Sequence, residues 1–176
     1  CFTINGGPGN RNSGGLWNSN QARSLLRFIK ERGFPFSVFE FGNEPNAFPL
    51  FHNGLTVEPE DFARDIDEFV SVRNDEFPNA LVSAPATAYW PNVGEVPALS
   101  LTPRPRMIKN FLSRVIAATT LLDVVSWHYY PGLSDRSALA RYRDSIVAVP
   151  LALLAVAVAS KDRFPGIVTA SILITT

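Results

Sequence analysis

Short apolar runs and longer stripes at helical spacing take turns along this chain. Cys1-Phe2-Thr3-Ile4 is apolar and β-branched, and Asn5-Gly6-Gly7-Pro8-Gly9-Asn10 breaks it, which reads as the tail of a strand and a long loop. Ala22, Leu25, Leu26 and Ile29 then recur at the spacing of one helix face. Asn18 or Ser19 is placed to cap that helix and Gly33 to stop it. Arg23, Arg27, Lys30 and Arg32 alternate with the stripe and read as a solvated face. A buried strand covers 36–42, and a loop runs from Asn43 to about Glu58. In that loop Phe48, Leu50 and Phe51 read as packing residues, and His52 as a loop histidine without a role. Pro59 suits the first turn of the next helix, whose apolar stripe is Phe62, Ile66, Phe69 and Val70. Asp61, Asp65, Asp67 and Glu68 lie mostly off the stripe and read as wet surface with a favourable N-terminal charge bias.

Ala80 to Ala84 reads as a third strand closed by Pro85. The Pro-rich and aromatic segment Thr87–Pro105 reads as a strand-to-helix loop, in which Tyr89 and Trp90 either stack on a sugar ring or cover the mouth of a barrel. Met107, Ile108, Phe111, Leu112, Val115 and Ile116 give the next helix. Leu121–Tyr130 is the fourth strand, with Ser126, His128 and Tyr130 on one side and Trp127 and Tyr129 on the other. Ser137 to Ile146 is helix-like, and Leu151–Ala159 is too short for a membrane span and reads as a buried helix. Gly166–Thr176 takes the place of a fifth strand. Strands alternating with helices imply a parallel sheet with helical crossovers. The expected fold is therefore α/β, a partial (β/α)8 TIM barrel of about four to five central β/α units, since a whole barrel needs around 250 residues. Residues 1–176 form one partial barrel domain on this reading.

Composition narrows the function. Hydrophobic residues make up 46% of the chain and charged residues 18%, the balance of a globular protein. Sixteen basic and sixteen acidic residues give zero net charge, which argues against a nucleic-acid binder but leaves room for a local basic patch that would hold an acidic sugar. The chain opens on Cys1 instead of Met and is expected to be a piece of a longer protein. A single cysteine permits no internal disulfide and no Cys-based zinc site, and His52 and His128 are too few for a His-rich metal site. No cofactor is expected. The glycine-rich loop lacks the Gly-Lys-Ser/Thr of a phosphate loop.

The candidate chemistry sits in Phe39-Glu40-Phe41-Gly42-Asn43-Glu44-Pro45-Asn46. Regular alternation puts Glu40, Gly42 and Glu44 on one side of the strand and Phe39 and Phe41 on the other. A carboxylate at the C-terminal end of a strand, with an Asn just before it, is where an α/β barrel keeps catalytic groups. On spacing alone a polar loop after a core strand accounts for Glu44 equally well. The same holds for His128 and Tyr130, which read as a polar strand end or as groups offered to the same mouth. Glu40 is expected inside the barrel, one layer below Glu44.

These residues also carry a resemblance. Asn43-Glu44-Pro45 after a strand ending in Gly42 resembles the acid/base motif of retaining glycoside hydrolases of clan A. Trp17-Asn18, the helix to Arg32-Gly33, the Glu40–Asn46 segment and Ser126-Trp127-His128-Tyr129-Tyr130 follow the order seen in heparanase-like β-glucuronidases, glycoside hydrolase family 79. The resemblance covers roughly residues 1–135, and the tail 135–176 matches poorly. It implies that Glu44 is the acid/base, that Asn43 binds the sugar hydroxyl beside the scissile bond, that Tyr130 holds the nucleophile and that His128 is their neighbour. It implies a uronic-acid-containing oligosaccharide or polysaccharide as partner, and a secreted, extracellular or lysosomal setting. Retention needs two carboxyl groups about 5–5.5 Å apart. The family's nucleophile is a Glu ending a later strand; here no Glu follows Glu95, and Asp162 sits before a strand. The chain alone is therefore expected not to turn over glycosides. A non-catalytic carbohydrate-binding barrel, or a clan A glycosidase acting on a neutral sugar, also fits the residues.

Overall fold

Among the described residues, five parallel strands lie side by side in chain order. The computed structural model describes residues 1–12, 15–88, 108 and 111–128, and the backbone of 171–173. Strand β1 (Phe2–Ile4) pairs with β2 (Val38–Phe41), β2 with β3 (Leu81–Ala88), β3 with β4 (Val124–His128) and β4 with β5 (Ser171–Leu173). The described helices between them are α1 (Asn20–Glu31), the single turn α2 (Phe48–Phe51), α3 (Pro59–Glu76) and α4 (Phe111–Ala118). This is the partial (β/α) barrel expected from the alternation.

Helix boundaries follow local chemistry. Helix α1 ends in a Schellman turn: Gly33, at φ +68°, donates to the Lys30 carbonyl, and Phe34 donates to that of Ile29. Pro59 opens α3, with Glu60 and Asp61 in its first turn. The expected loop 43–58 contains a 3-10 turn, Pro45–Ala47, and then α2. Strand β3 does not stop at Pro85. A bulge between Pro85 and Thr87 carries it on to Ala88, because an irregular ladder can absorb a residue that has no N–H to donate.

The two faces of the sheet differ. Phe39 and Phe41 point at the helices and are fully buried. Phe41 stacks on Phe69 with ring centroids 5.5 Å apart, meets the Trp17 edge at 4.8 Å and touches Phe62 at 5.2 Å. Val82, Ala84, Leu26, Ile29, Ile66 and Phe111 complete this core. On the opposite, inner face lie Thr3, Glu40 and Ser83 in register, with Ser126 and His128 further along. Glu40 is buried there, as the strand alternation requires.

The charged residues are less solvated than the sequence suggests. Arg23 pairs with Asp75 at 2.6 Å, and Arg27 and Lys30 both reach Glu76, so the basic face of α1 is tied to α3. Solvent screens such partly exposed pairs, so they contribute little to stability. Asp65 is no wet-surface residue. It is buried and pairs at 2.6 Å with Arg11, 54 positions earlier. Asp67 accepts a hydrogen bond from the Thr119 hydroxyl. Leu50 and Phe51, expected to pack, are exposed. Among the described residues no helix is long and apolar enough to cross a membrane. Tyr89, Trp90, Tyr129, Tyr130 and the helices expected within 137–159 lie outside the described residues.

Candidate active site

Strand β2 ends because its next residue must leave the β region. Gly42 sits at φ +86°, and a Cβ there would fall 2.6 Å from the Phe62 ring, so a side chain is excluded twice over. Its N–H still donates to the Ile4 carbonyl. Glu44 follows with φ 51° and ψ 48°, a left-handed conformation that costs a non-glycine residue about 1–3 kcal/mol. Simple alternation through Gly42 therefore does not place Glu44; a turn does. The turn is held from β3: Glu44 N–H donates to the Ala86 carbonyl at 2.9 Å. Asn46, fully buried, exchanges two hydrogen bonds with the Ala88 backbone, at 2.8 and 2.9 Å. The bulge in β3 turns these groups toward the loop, a common use of a bulge beside a functional site.

This geometry carries Glu44 over β3 toward β4. His128 Nδ1 lies 2.9 Å from Glu44 Oε1, and both side chains are largely shielded from solvent. The two residues come from strands separated by β3, a span of about 9–10 Å between strand axes. The loop clamped by Ala86 and Ala88 closes that gap. An imidazole suits a carboxyl group in both protonation states. Nδ1 accepts from the carboxylic acid in one tautomer, and Nδ1–H donates to the carboxylate in the other.

The other expected site residues divide. Asn43 is exposed, next to Glu44. With Asn5, Gly6, Gly7, Gly42, Phe48 and His52 it lines a cavity of about 370 Å³ above the ends of β1 and β2. Tyr130 lies outside the described residues. Asn46 and Arg11 were not legible as site residues, since their partners lie 42 and 54 positions away. Arg11 fixes the glycine-rich loop: its guanidinium donates to the Gly6 and Gly15 carbonyls as well as to Asp65. Burial pushes the Asp65 carboxyl above its ordinary pKa, and the Arg11 charge opposes that shift. Among the described residues no group of three or more His, Cys, Asp or Glu is placed to hold a metal ion.

The fold is one that solved glycoside hydrolase enzymes share. CelM2, a bifunctional glucanase-xylanase from a metagenome library, superposes with a TM-score of 0.61 at 16% identity, over 89% of this chain and 39% of its own. A family 44 xyloglucanase from Paenibacillus polymyxa gives 0.56 at 10% identity, over 97% of this chain and 43% of its own. At these identities the likeness is one of fold. In sequence, the heparanase of Mus musculus is 30% identical over 118 residues, 65% of this chain, and so is that of Rattus norvegicus. Over that segment the chain is homologous to the heparanases. The inactive heparanase-2 of Homo sapiens is 29% identical over 119 residues. The chain spans about a fifth of the length of these relatives, 19% in the mouse protein. No family model matches the chain.

Proposed function

We propose that this chain carries the acid/base half of a retaining, heparanase-like β-glucuronidase that hydrolyses O-glycosidic bonds beside a uronic acid. The observation that supports this most is the 2.9 Å contact between Glu44 and His128 at the C-terminal ends of parallel strands. Glu44 donates its proton to the leaving glycosidic oxygen, and as carboxylate then takes a proton from the attacking water. His128 holds one carboxyl oxygen through both stages by exchanging donor and acceptor roles. Asn43 binds the sugar hydroxyl beside the scissile bond, and Tyr130 holds the nucleophile. That nucleophile is a second carboxylate about 5–5.5 Å from Glu44, and it is not supplied by this chain. The setting of such an enzyme is extracellular or lysosomal.

A second reading, a glycan-binding barrel without turnover, is favoured by the similarity to inactive heparanase-2. One assay separates the two. The full-length protein containing this chain is given a chromogenic glucuronide and the matching glucoside. Hydrolysis of the glucuronide, reduced about 10²–10⁴-fold in kcat/KM by Glu44→Gln, supports the enzyme. The 176-residue chain alone is expected to hydrolyse neither. Binding of a uronic-acid oligosaccharide by the full-length protein without hydrolysis selects the second reading.

A further inference from the structure

Beyond Asn43 the surface opens into a second concavity of about 450 Å³, between the glycine-rich loop and the end of α2. Pro8 and His52 line both cavities, so the two are neighbours that share a wall. Phe51 borders the second one and is 66% exposed. Three features make this more than a stray surface aromatic. First, the turn after α2 fixes its surroundings: Asn53 and Gly54 are left-handed, and Leu55 N–H donates back to the His52 carbonyl at 2.9 Å. Second, the remaining lining includes the Asn53 amide and the His52 imidazole, groups that hydrogen-bond hydroxyls in either direction. An aromatic face beside such groups matches a pyranose, which has an apolar ring face and a rim of hydroxyls.

Third, the charge is already satisfied. Arg11 is the one cation among the described lining residues; its side chain is 4% exposed and is engaged by Asp65 and two carbonyl oxygens. A uronate or sulfate there would find no available cation among these residues.

We propose that this cavity is a second glycan subsite, adjoining the Glu44 site, that takes a neutral pyranose unit with Phe51 as its stacking platform and Asn53 and His52 as hydrogen-bonding groups. The proposal rests on the glycosidase reading and adds the character of one sugar in its substrate.

The test is calorimetric titration of full-length protein in a Glu44→Gln background, which slows turnover, with cellotetraose and with a heparan-sulfate tetrasaccharide. Phe51→Ala is expected to weaken cellotetraose about threefold to tenfold, the scale of one lost aromatic contact. Phe51→Trp is expected to retain binding, and methyl β-glucoside, which fills only one subsite, to respond less than the tetrasaccharide. Unchanged cellotetraose affinity in Phe51→Ala, with both tetrasaccharides weakened by Asn43→Ala, overturns the subsite and leaves the glycosidase reading standing. Stronger dependence on Phe51 for the sulfated tetrasaccharide than for cellotetraose overturns the assignment of a neutral sugar. Absence of binding by either tetrasaccharide, with no hydrolysis by the unsubstituted protein, overturns both readings.

Discussion

The two faces of one sheet have different occupations. On the helix side, Phe39, Phe41, Val82 and Trp127 are buried and the contacts are rings and methyl groups. On the inner side, Thr3, Glu40, Ser83, Ser126 and His128 follow one another across four strands, and all five are polar. Alternation with a period of two lets one strand serve both purposes, since each substitution reaches only one face. Apolar packing is thus concentrated in one layer and polar groups in the other, joined at the strand ends where Gly42 and the β3 bulge redirect the chain.

The comparison is broken most severely on the apolar side. Phe41→Ala empties a fully buried site between Trp17, Phe62 and Phe69 and is expected to cost about 3–5 kcal/mol, read from urea denaturation. At the junction, Asn46→Ala removes both hydrogen bonds to the Ala88 backbone and is expected to cost about 2 kcal/mol. On the proposed function it should also lower kcat of the full-length protein while leaving KM nearly unchanged, because the loop that carries Glu44 loses an anchor while the Glu44 side chain stays. A drop in stability with unaltered kcat would make Asn46 purely structural. On the inner face, Glu40→Gln is expected to cost no stability, because no described residue hydrogen-bonds its carboxylate and the amide keeps its shape while removing a charge from a buried position. A loss comparable to that of Phe41→Ala would mean that the inner face carries structural weight after all.

Where the sequence was readable, the signal was local. Leu26 and Ile29 at helical spacing, Gly33 as a stop, Pro59 as a start and the turn after Phe41 each act within a few residues, and each corresponds to an observed boundary. The inner position of Glu40 followed from a period of two. The unread features depend on partners far along the chain. Asp65 looked solvated because nothing near it announces Arg11. Pro85 looked like a terminator because a bulge is a property of a pair of strands. Glu44 reached the mouth by a left-handed turn bound to Ala86, a partner 42 residues later, instead of by strand alternation. Phe51 was assigned to packing by its composition, and only its surroundings reveal that it faces water.

Strand order equal to chain order has a consequence for the newly made polypeptide. As synthesis proceeds from the N-terminus, each strand emerges when the strand it pairs with has already left the ribosome, so the sheet can grow by addition at one edge. Each addition closes a loop of one β/α unit. The Glu44–His128 contact spans 84 residues and has to wait for β4. A nascent chain halted before Val124 would therefore hold a nearly complete aromatic core and no carboxyl–imidazole pair. The carboxyl–imidazole pair thus forms after the strands that carry the aromatic core, and β5 joins the sheet later still.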